Sequence, residues 1–260
     1  MASLSPGLVS ITFRDLAVPE VVALAAESGL VGIEWGGDVH VPHGNVPAAE
    51  RAAKLTADHG LAVAAYGSYH RANGDAPDPA AVLDSASALG APLVRIWAGT
   101  VDADGATNDH IARTAERLND LCVQARGRRI RVAAEWHGGT LTATAEGGRQ
   151  LAELCPDLLF YWQPSNGRSR ETRLDEFAVA RPRLAHVHAF WWLEKPEGRD
   201  RRPLADGAED WRIFLKEAAD APLPDGVRQR FAMLEFVRGD SPTQLRDDAV
   251  TLRQLLSEIS

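Results

Sequence analysis

The chain has 260 residues, of which 45% are hydrophobic and 25% charged, a composition that favours a folded protein with a sizeable core and excludes a disordered chain. The formal net charge of -8 argues against a nucleic-acid partner, because affinity for a phosphate backbone depends on Lys and Arg. No apolar run approaches the ~18 residues of a membrane-spanning helix, and no signal peptide is recognisable at the N-terminus. We therefore expect a cytoplasmic protein that binds neither nucleic acid nor membrane.

Short apolar runs alternate with helix-like stretches along the whole chain. In the helix-like stretches, apolar residues recur three and four positions apart, as in Ile111, Ala115 and Leu118. Asp78 and Ser241, each followed by a proline, lie where helices should begin. The apolar runs are the predicted strands, and they cover residues 8–13, 32–35, 61–66, 93–98, 132–135, 158–163, 184–189 and 231–236.

Eight strand–helix units in series predict an α/β fold, a single (β/α)8 TIM barrel over residues 1–260, close to the usual length of ~250 residues. The alternative is a doubly wound open sheet, which normally has a glycine-rich turn after its first strand. Here Arg14, Asp15 and Leu16 follow the first predicted strand, so the barrel is favoured. Residues 193–210, rich in charged residues, are predicted to form a loop, either a lid or a solvated surface segment.

Polar residues end four of the predicted strands, where apolar packing does not explain them. The carboxyl ends of parallel strands are where α/β barrels place their chemistry. Two carboxylates, one imidazole and one amide oxygen are ligands suited to a divalent cation. These residues lie at the last or the second-last position of the fifth to eighth runs: Glu135, Gln163, His188 and Glu235.

Side-chain alternation predicts which other polar residues point into the barrel. On the second, fourth and fifth strands these are Glu34, Arg95 and His137. Arg95 either pairs with Glu34 or binds substrate, and Trp97 either offers a ring face to a sugar or fills the barrel. His70, in the loop after the third strand, either contacts substrate or is solvated.

The same alternation directs other residues away from the site. It places Trp35, Trp136 and Trp162 on the outer face of the barrel, where packing against helices is their expected role. We expect His186, one layer below His188, to be structural.

At these residues the sequence resembles the sugar phosphate isomerase/epimerase superfamily, the xylose-isomerase-like barrels. The resemblance covers essentially the whole chain, and its order and spacing are more specific than any one motif. Its segments are residues 29–35 (GLVGIEW), 66–69 (YGSY), 94–99 (VRIWAG), 135–141 (EWHGGTL), 186–188 (HVH) and 234–235 (LE).

The resemblance implies a metal site with a Glu, an Asp, a His and a Glu from strands five to eight. The matching residues here are Glu135, His188 and Glu235, with Gln163 where the family usually has Asp. An amide oxygen still ligates a hard cation, although the substitution also fits a barrel that has lost its metal. Mn²⁺ is the first choice of divalent ion, with Mg²⁺, Co²⁺ or Zn²⁺ as alternatives.

The activity implied is isomerisation or epimerisation of a keto-sugar by proton abstraction next to the carbonyl, through an enediolate. Glu135 and Glu235 would be the acid/base pair. Substrate contacts are expected from Glu34, His70, Arg95, Trp97 and His137. Phe190 and Trp191 follow His188, where relatives often have polar residues, so the resemblance points to an apolar pocket and a substrate other than a phosphorylated sugar.

Two alternatives remain open: a metal-dependent lyase or dehydratase acting on an inosose or keto-glycoside, and a non-catalytic sugar-binding barrel. An endonuclease of the same superfamily is disfavoured by the acidic charge of the chain. A small carbohydrate is the expected partner, and a homodimer is left open.

Overall fold

Eight parallel strands close into a barrel in the computed structural model, which describes residues 4–75, 77–196 and 198–259. The barrel strands follow chain order around the barrel, with the last strand pairing to the first. They are β1 (Leu4–Val9), β2 (Gly32–Gly36), β3 (Ala62–Arg71), β4 (Leu93–Trp97), β5 (Arg131–Glu135), β6 (Leu159–Trp162), β7 (Leu184–Ala189) and β10 (Arg230–Leu234). The predicted TIM barrel is therefore confirmed.

A helix follows each barrel strand in the chain. Asp78 and Ser241 cap their helices as predicted, because their side chains accept hydrogen bonds from the backbone N–H groups of Ala81 and Gln244. None of the helices in the described residues combines the length and apolar character needed to cross a bilayer. The helices are α1 (Val18–Glu27), α2 (Val46–Asp58), α3 (Pro79–Leu89), α4 (Asn108–Gly127), α5 (Ala145–Leu154), α6 (Arg170–Ala180), α7 (Ala208–Asp220) and α8 (Pro242–Glu258).

The main hydrophobic core lies between the barrel and its helices. Trp35, Trp136 and Trp162 are buried there, as side-chain alternation predicts. The ring of Trp162 contacts Phe177 of α6 and Phe214 of α7, with ring centroids 4.8 and 5.1 Å apart. Such aromatic contacts fix the helices against the outer face of the barrel and leave the inner face to the polar residues.

The first strand was predicted too late in the chain. It runs over Leu4–Val9, and Ser10–Phe13 form a 3₁₀ turn instead of its second half. Ile11 and Phe13 are apolar residues at alternate positions, a spacing that is also typical of a strand, and both are buried. Pairing of Leu8 with Leu234 and with Ile33 sets the observed register.

The prediction of a loop over residues 193–210 is also wrong. An antiparallel hairpin forms there, with β8 (Trp191–Lys195) paired to β9 (Gly198–Arg202). A 3₁₀ turn and the start of α7 complete the segment. Opposite charges meet across the hairpin: the Lys195 ammonium lies 2.8 Å from the Asp200 carboxylate. The charged composition therefore reflects cross-strand pairing.

Candidate active site

Four side chains from neighbouring strands converge at the carboxyl end of the barrel. Glu135 is the last residue of β5, Gln163 follows β6, His188 lies in β7 and Glu235 follows β10. Nδ1 of His188 lies 3.3 Å from a carboxylate oxygen of Glu135, 3.3 Å from one of Glu235 and 3.4 Å from Oε1 of Gln163. One ligand atom from each of Glu135, His188 and Glu235 lies within 4.8 Å of the others. Glu135, His188 and Glu235 can therefore share one cation, and Gln163 lies beside them.

Glu34 orients the imidazole of His188 from the opposite side. Its Oε2 lies 3.2 Å from Nε2 of His188, and both side chains are fully buried. A proton on Nε2 donated to this carboxylate leaves Nδ1 as the atom that faces Glu135, Gln163 and Glu235. A carboxylate behind an imidazole is the usual arrangement for a metal-ligating histidine, because it fixes the ring and raises its basicity.

Arg95 holds two of the carboxylates together. Its Nε donates to Glu34 at 2.7 Å, and its Nη1 donates to Oε2 of Glu135. Nε1 of Trp97 donates to the same Glu135 oxygen at 2.6 Å. Oε2 of Glu135 is thus engaged by two donors, and Oε1 is the oxygen that faces His188. Both roles considered for Arg95 from the sequence have a basis here, since it pairs with Glu34 and also lines the cavity.

Burial and charge shift the pKa values of the site in opposite directions. Burial would raise the pKa of Glu34, but Arg95 and His188 lower it to about 2. In the same way Arg95 and His188 outweigh burial and hold the pKa of Glu135 well below its usual range. Glu235 differs: burial, reinforced by the charge of Glu135, raises its pKa to about 7.

His188 shows that the site attracts positive charge. Burial alone would lower its pKa, but Glu235 and Glu34 raise it to about 10. Oε2 of Glu235 is buried and makes no hydrogen bond within the described residues. It lies 3.3 Å from Nδ1 of His188, and a cation bound beside these two atoms would give the buried carboxylate a stronger partner. The donor set therefore fits a divalent metal, with oxygen ligands and one imidazole.

A cavity of about 940 Å³ opens above these residues. Its lining includes Arg95, Trp97, Glu135, His137, Gln163 and Glu235 among the residues expected from the sequence. The ring of His137 lies against that of Trp97, with centroids 5.0 Å apart.

Two residues assigned to substrate contact do not line this cavity. Glu34 lies beneath it and acts on Arg95 and His188. His70 is buried elsewhere, with its Nδ1 2.9 Å from the carbonyl oxygen of Pro77.

His186 has the structural role expected of it. Its Nδ1 accepts a hydrogen bond from the backbone N–H of Phe231 at 3.2 Å, and its Nε2 lies 3.3 Å from the carbonyl oxygen of Ala64. Burial lowers its pKa to about 4, so the ring is neutral. The Tyr161 ring contacts both His186 and His188, with centroids 5.2 and 4.5 Å apart. The Tyr161 ring thus packs between the two histidine rings.

Several residues around the cavity mouth were not identified from the sequence. Asp102, after β4, accepts a hydrogen bond from the backbone N–H of Gly139 at 2.6 Å and so joins two loops of the mouth. Trp192 and Phe236 were the easiest to have found, since they follow His188 and Glu235 closely in the chain. The unassigned lining residues include Arg14, Tyr69, Asp102, Ser165, Asn166, Arg168, Trp192 and Phe236.

The sequence profile described as xylose isomerase-like TIM barrel matches residues 22–253, most of the chain. The chain belongs to this family. No curated protein matches the sequence. The confirmed membership agrees with the resemblance carried by the strand-end motifs.

Solved structures similar to this xylose isomerase-like barrel include a probable 3-DHS dehydratase, AsbF, from Bacillus anthracis (18% identity, 96% of this chain and 99% of that chain, TM-score 0.77). A xylose isomerase-like protein from Mycobacterium smegmatis in complex with magnesium is 16% identical, with 98% of each chain covered and a TM-score of 0.65. A D-allulose 3-epimerase from Methylomonas sp. is 14% identical, with 98% of this chain and 99% of that chain covered and a TM-score of 0.67. At these identities the likeness concerns the fold.

Proposed function

We propose that this protein is a divalent-metal-dependent isomerase or epimerase that removes a proton next to the carbonyl of a keto-sugar. The observation that carries the proposal is the convergence of Glu135, Gln163, Glu235 and Nδ1 of His188 on one point below a cavity. When bound there, a divalent cation supplies Lewis acidity that polarises the substrate carbonyl. Mn²⁺ is our first choice, with Mg²⁺, Co²⁺ or Zn²⁺ as alternatives.

Glu135 and Glu235 are the proposed acid/base pair. Both line the cavity, so both have access to a bound substrate. Oε2 of Glu135 is held by Arg95 and Trp97, which fixes its carboxylate plane. Burial and the charge of Glu135 raise the pKa of Glu235 to about 7, a value that suits a group that both takes and returns a proton near neutral pH.

Three other residues orient the substrate in this proposal. Arg95 and the Nε1 donor of Trp97 lie beside Glu135, and His137 stands against Trp97 at the cavity wall. Their donors suit the hydroxyl and carbonyl oxygens of a carbohydrate. Glu34 acts indirectly, because it positions His188 and Arg95.

The test begins with metal analysis of the purified protein, followed by a panel of ketoses and inososes in deuterated water. We expect one divalent ion per chain and solvent deuterium at the carbon next to the carbonyl. Glu235→Gln should reduce exchange by about 10²–10⁴-fold, the usual contribution of a positioned acid/base group. Asp248→Asn is the matched control: Asp248 is buried and bonded to Leu204 and Gln244, away from the cavity. Wild-type exchange in Glu235→Gln would refute the assignment.

A metal-dependent lyase is the second candidate. The same proton removal would start an elimination, and one solved structure with this fold is a probable dehydratase. Product analysis separates the two reactions, since an isomerase or epimerase conserves the mass of its substrate. Release of water or of a substituent would establish the lyase.

A further inference from the structure

The cavity is richer in aromatic side chains than the metal chemistry requires. Aromatic residues make up 7% of the chain, yet Tyr69, Trp97, Phe190, Trp192 and Phe236 all line this one cavity. A sugar can cover one aromatic ring with its apolar face, but its hydroxyl groups call for hydrogen-bonding partners on its other sides. The aromatic side chains therefore indicate that the substrate has a second, apolar part.

The first aromatic wall consists of Tyr69, Trp97 and His137, from β3, β4 and the loop after β5. The Tyr69 ring meets that of Trp97 edge-on, at 5.2 Å between centroids and 87° between planes. The Arg71 guanidinium lies 4.3 Å from the centroid of Trp97 and covers one part of the ring. These contacts hold the wall in one arrangement.

The second aromatic wall consists of Phe190, Trp192 and Phe236, from the chain after β7, from β8 and from the chain after β10. The Trp192 ring lies 4.8 Å from that of Phe190 and 5.0 Å from that of Phe236. The guanidinium of Arg199, on the paired strand β9, lies 5.3 Å from the Trp192 centroid. The hairpin thus carries its aromatic residue over the cavity and fixes it there.

The two walls stand on different sides of the barrel. Strands β3, β4 and β5 are neighbours, and so are β7 and β10. Strand β6 separates the groups on one side, and β1 and β2 separate them on the other. A ligand that reaches upward from Glu135 and Glu235 passes between the walls.

We propose that the substrate is a carbohydrate that carries a planar apolar group, such as an aromatic ring, and that this group binds between the two walls. The inference rests on the proposed function, because it takes the sugar unit to lie at Glu135 and Glu235. The cavity volume of about 940 Å³ lies near the top of the range of roughly 300–1,000 Å³ for sites of drug-sized ligands. A single sugar is smaller than such ligands and fills only part of this volume. A ring between preformed walls buries it at little cost in ordering.

The test compares paired probes on the full chain loaded with Mn²⁺. Phenyl and methyl β-glycosides of glucose, galactose and xylose differ within each pair only in the aglycone, and because they lack a carbonyl they serve as binding probes and not as substrates. Isothermal titration calorimetry should show at least one phenyl glycoside binding about tenfold or more tightly than its methyl partner, as expected for a buried aromatic contact. Equal affinity within every pair, or no binding of any phenyl glycoside, would overturn the proposal.

Variants locate the binding site of the ring. Trp192→Leu and Phe236→Leu keep an apolar side chain but remove an aromatic one, so the preference for the phenyl glycoside should fall below about threefold. Leu193→Ala is the control, since Leu193 is the next residue of β8, is exposed and does not line the cavity. Circular dichroism checks that each variant is folded. A preference retained in both leucine variants refutes this location.

Two outcomes separate this inference from the proposed function. Metal content, and deuterium exchange with the panel of ketoses and inososes, are measured on the same preparations. Bound metal and exchange without any preference for a ring would refute only the inference about the substrate. A preference for the phenyl glycoside in protein that retains no Mn²⁺ and catalyses no deuterium exchange would refute the proposed function instead.

Discussion

Replacing Arg95 with methionine tests whether the site is held together by charge. Arg95 is 2% exposed and is the shared partner of Glu34 and Glu135, both of which are buried. Methionine has a similar reach but no charge, so the variant leaves the cavity filled and the two carboxylates without their guanidinium. Breaking a buried pair by removing one partner costs about 3–5 kcal/mol, because the remaining charge is desolvated and uncompensated.

The expected loss is measurable as a thermal shift. For a chain of this size, about 3–5 kcal/mol lowers Tm by about 6–20 °C. Metal-free Arg95→Met and wild type are compared in the presence of a chelator. Arg113→Met is the matched control, because Arg113 pairs with Asp109 on the exposed face of α4, where an ion pair contributes about 0–1 kcal/mol.

Adding a divalent ion gives the second half of this test. Without Arg95 the carboxylates keep only His188 as a positive partner among the contacts described above, so an ion bound beside His188 compensates more charge than in wild type. Mn²⁺ should therefore raise the Tm of Arg95→Met by more than it raises that of wild type. The reasoning is refuted if Arg95→Met melts with Arg113→Met in chelator, or if Mn²⁺ stabilises both proteins equally.

Three further outcomes concern metal binding measured by calorimetry. Glu34→Gln should weaken Mn²⁺ binding about 10–100-fold without changing a direct ligand, because the carboxylate orients His188; unchanged affinity would remove that role. Gln163→Asp adds a negative ligand and should tighten Mn²⁺ binding, whereas weaker binding would show that the amide is not directed at the ion. Affinity should also rise between about pH 6 and about pH 8, because the metal-free site holds protons on Glu235, whose pKa is raised to about 7, and on His188, whose pKa is raised to about 10, and the ion must displace them. A flat profile over that interval would contradict the proton displacement.

The sequence was most informative where one rule sufficed. Glu135, His188 and Glu235 stood out because each is a polar side chain at the end of an apolar strand, and closure of the barrel brings neighbouring strand ends together. Alternation also placed Trp162 correctly, because strand geometry fixes which face a side chain occupies.

Features set by tertiary contacts could not be predicted in this way. Ile11 and Phe13 are apolar residues at alternate positions, as in a strand, but they lie in a turn whose four residues are all buried. Trp192 lies in a hairpin whose two strands also form charge pairs with each other. The charged composition of that segment, taken alone, suggested a loop. His70 does not line the cavity, and its Nδ1 lies within hydrogen-bond distance of the carbonyl oxygen of Pro77. The rule about strand ends does not include such a local contact.

The first and last barrel strands, β1 and β10, pair at the seam of the barrel. Leu4 pairs with Arg230 and Leu8 with Leu234, immediately before Glu235. Glu235, the last of the proposed ligands in the chain, thus follows the strand that closes the barrel, so the proposed metal site is complete only after β10 has paired with β1. An ion bound at the proposed site would therefore stabilise only those molecules in which the barrel has closed.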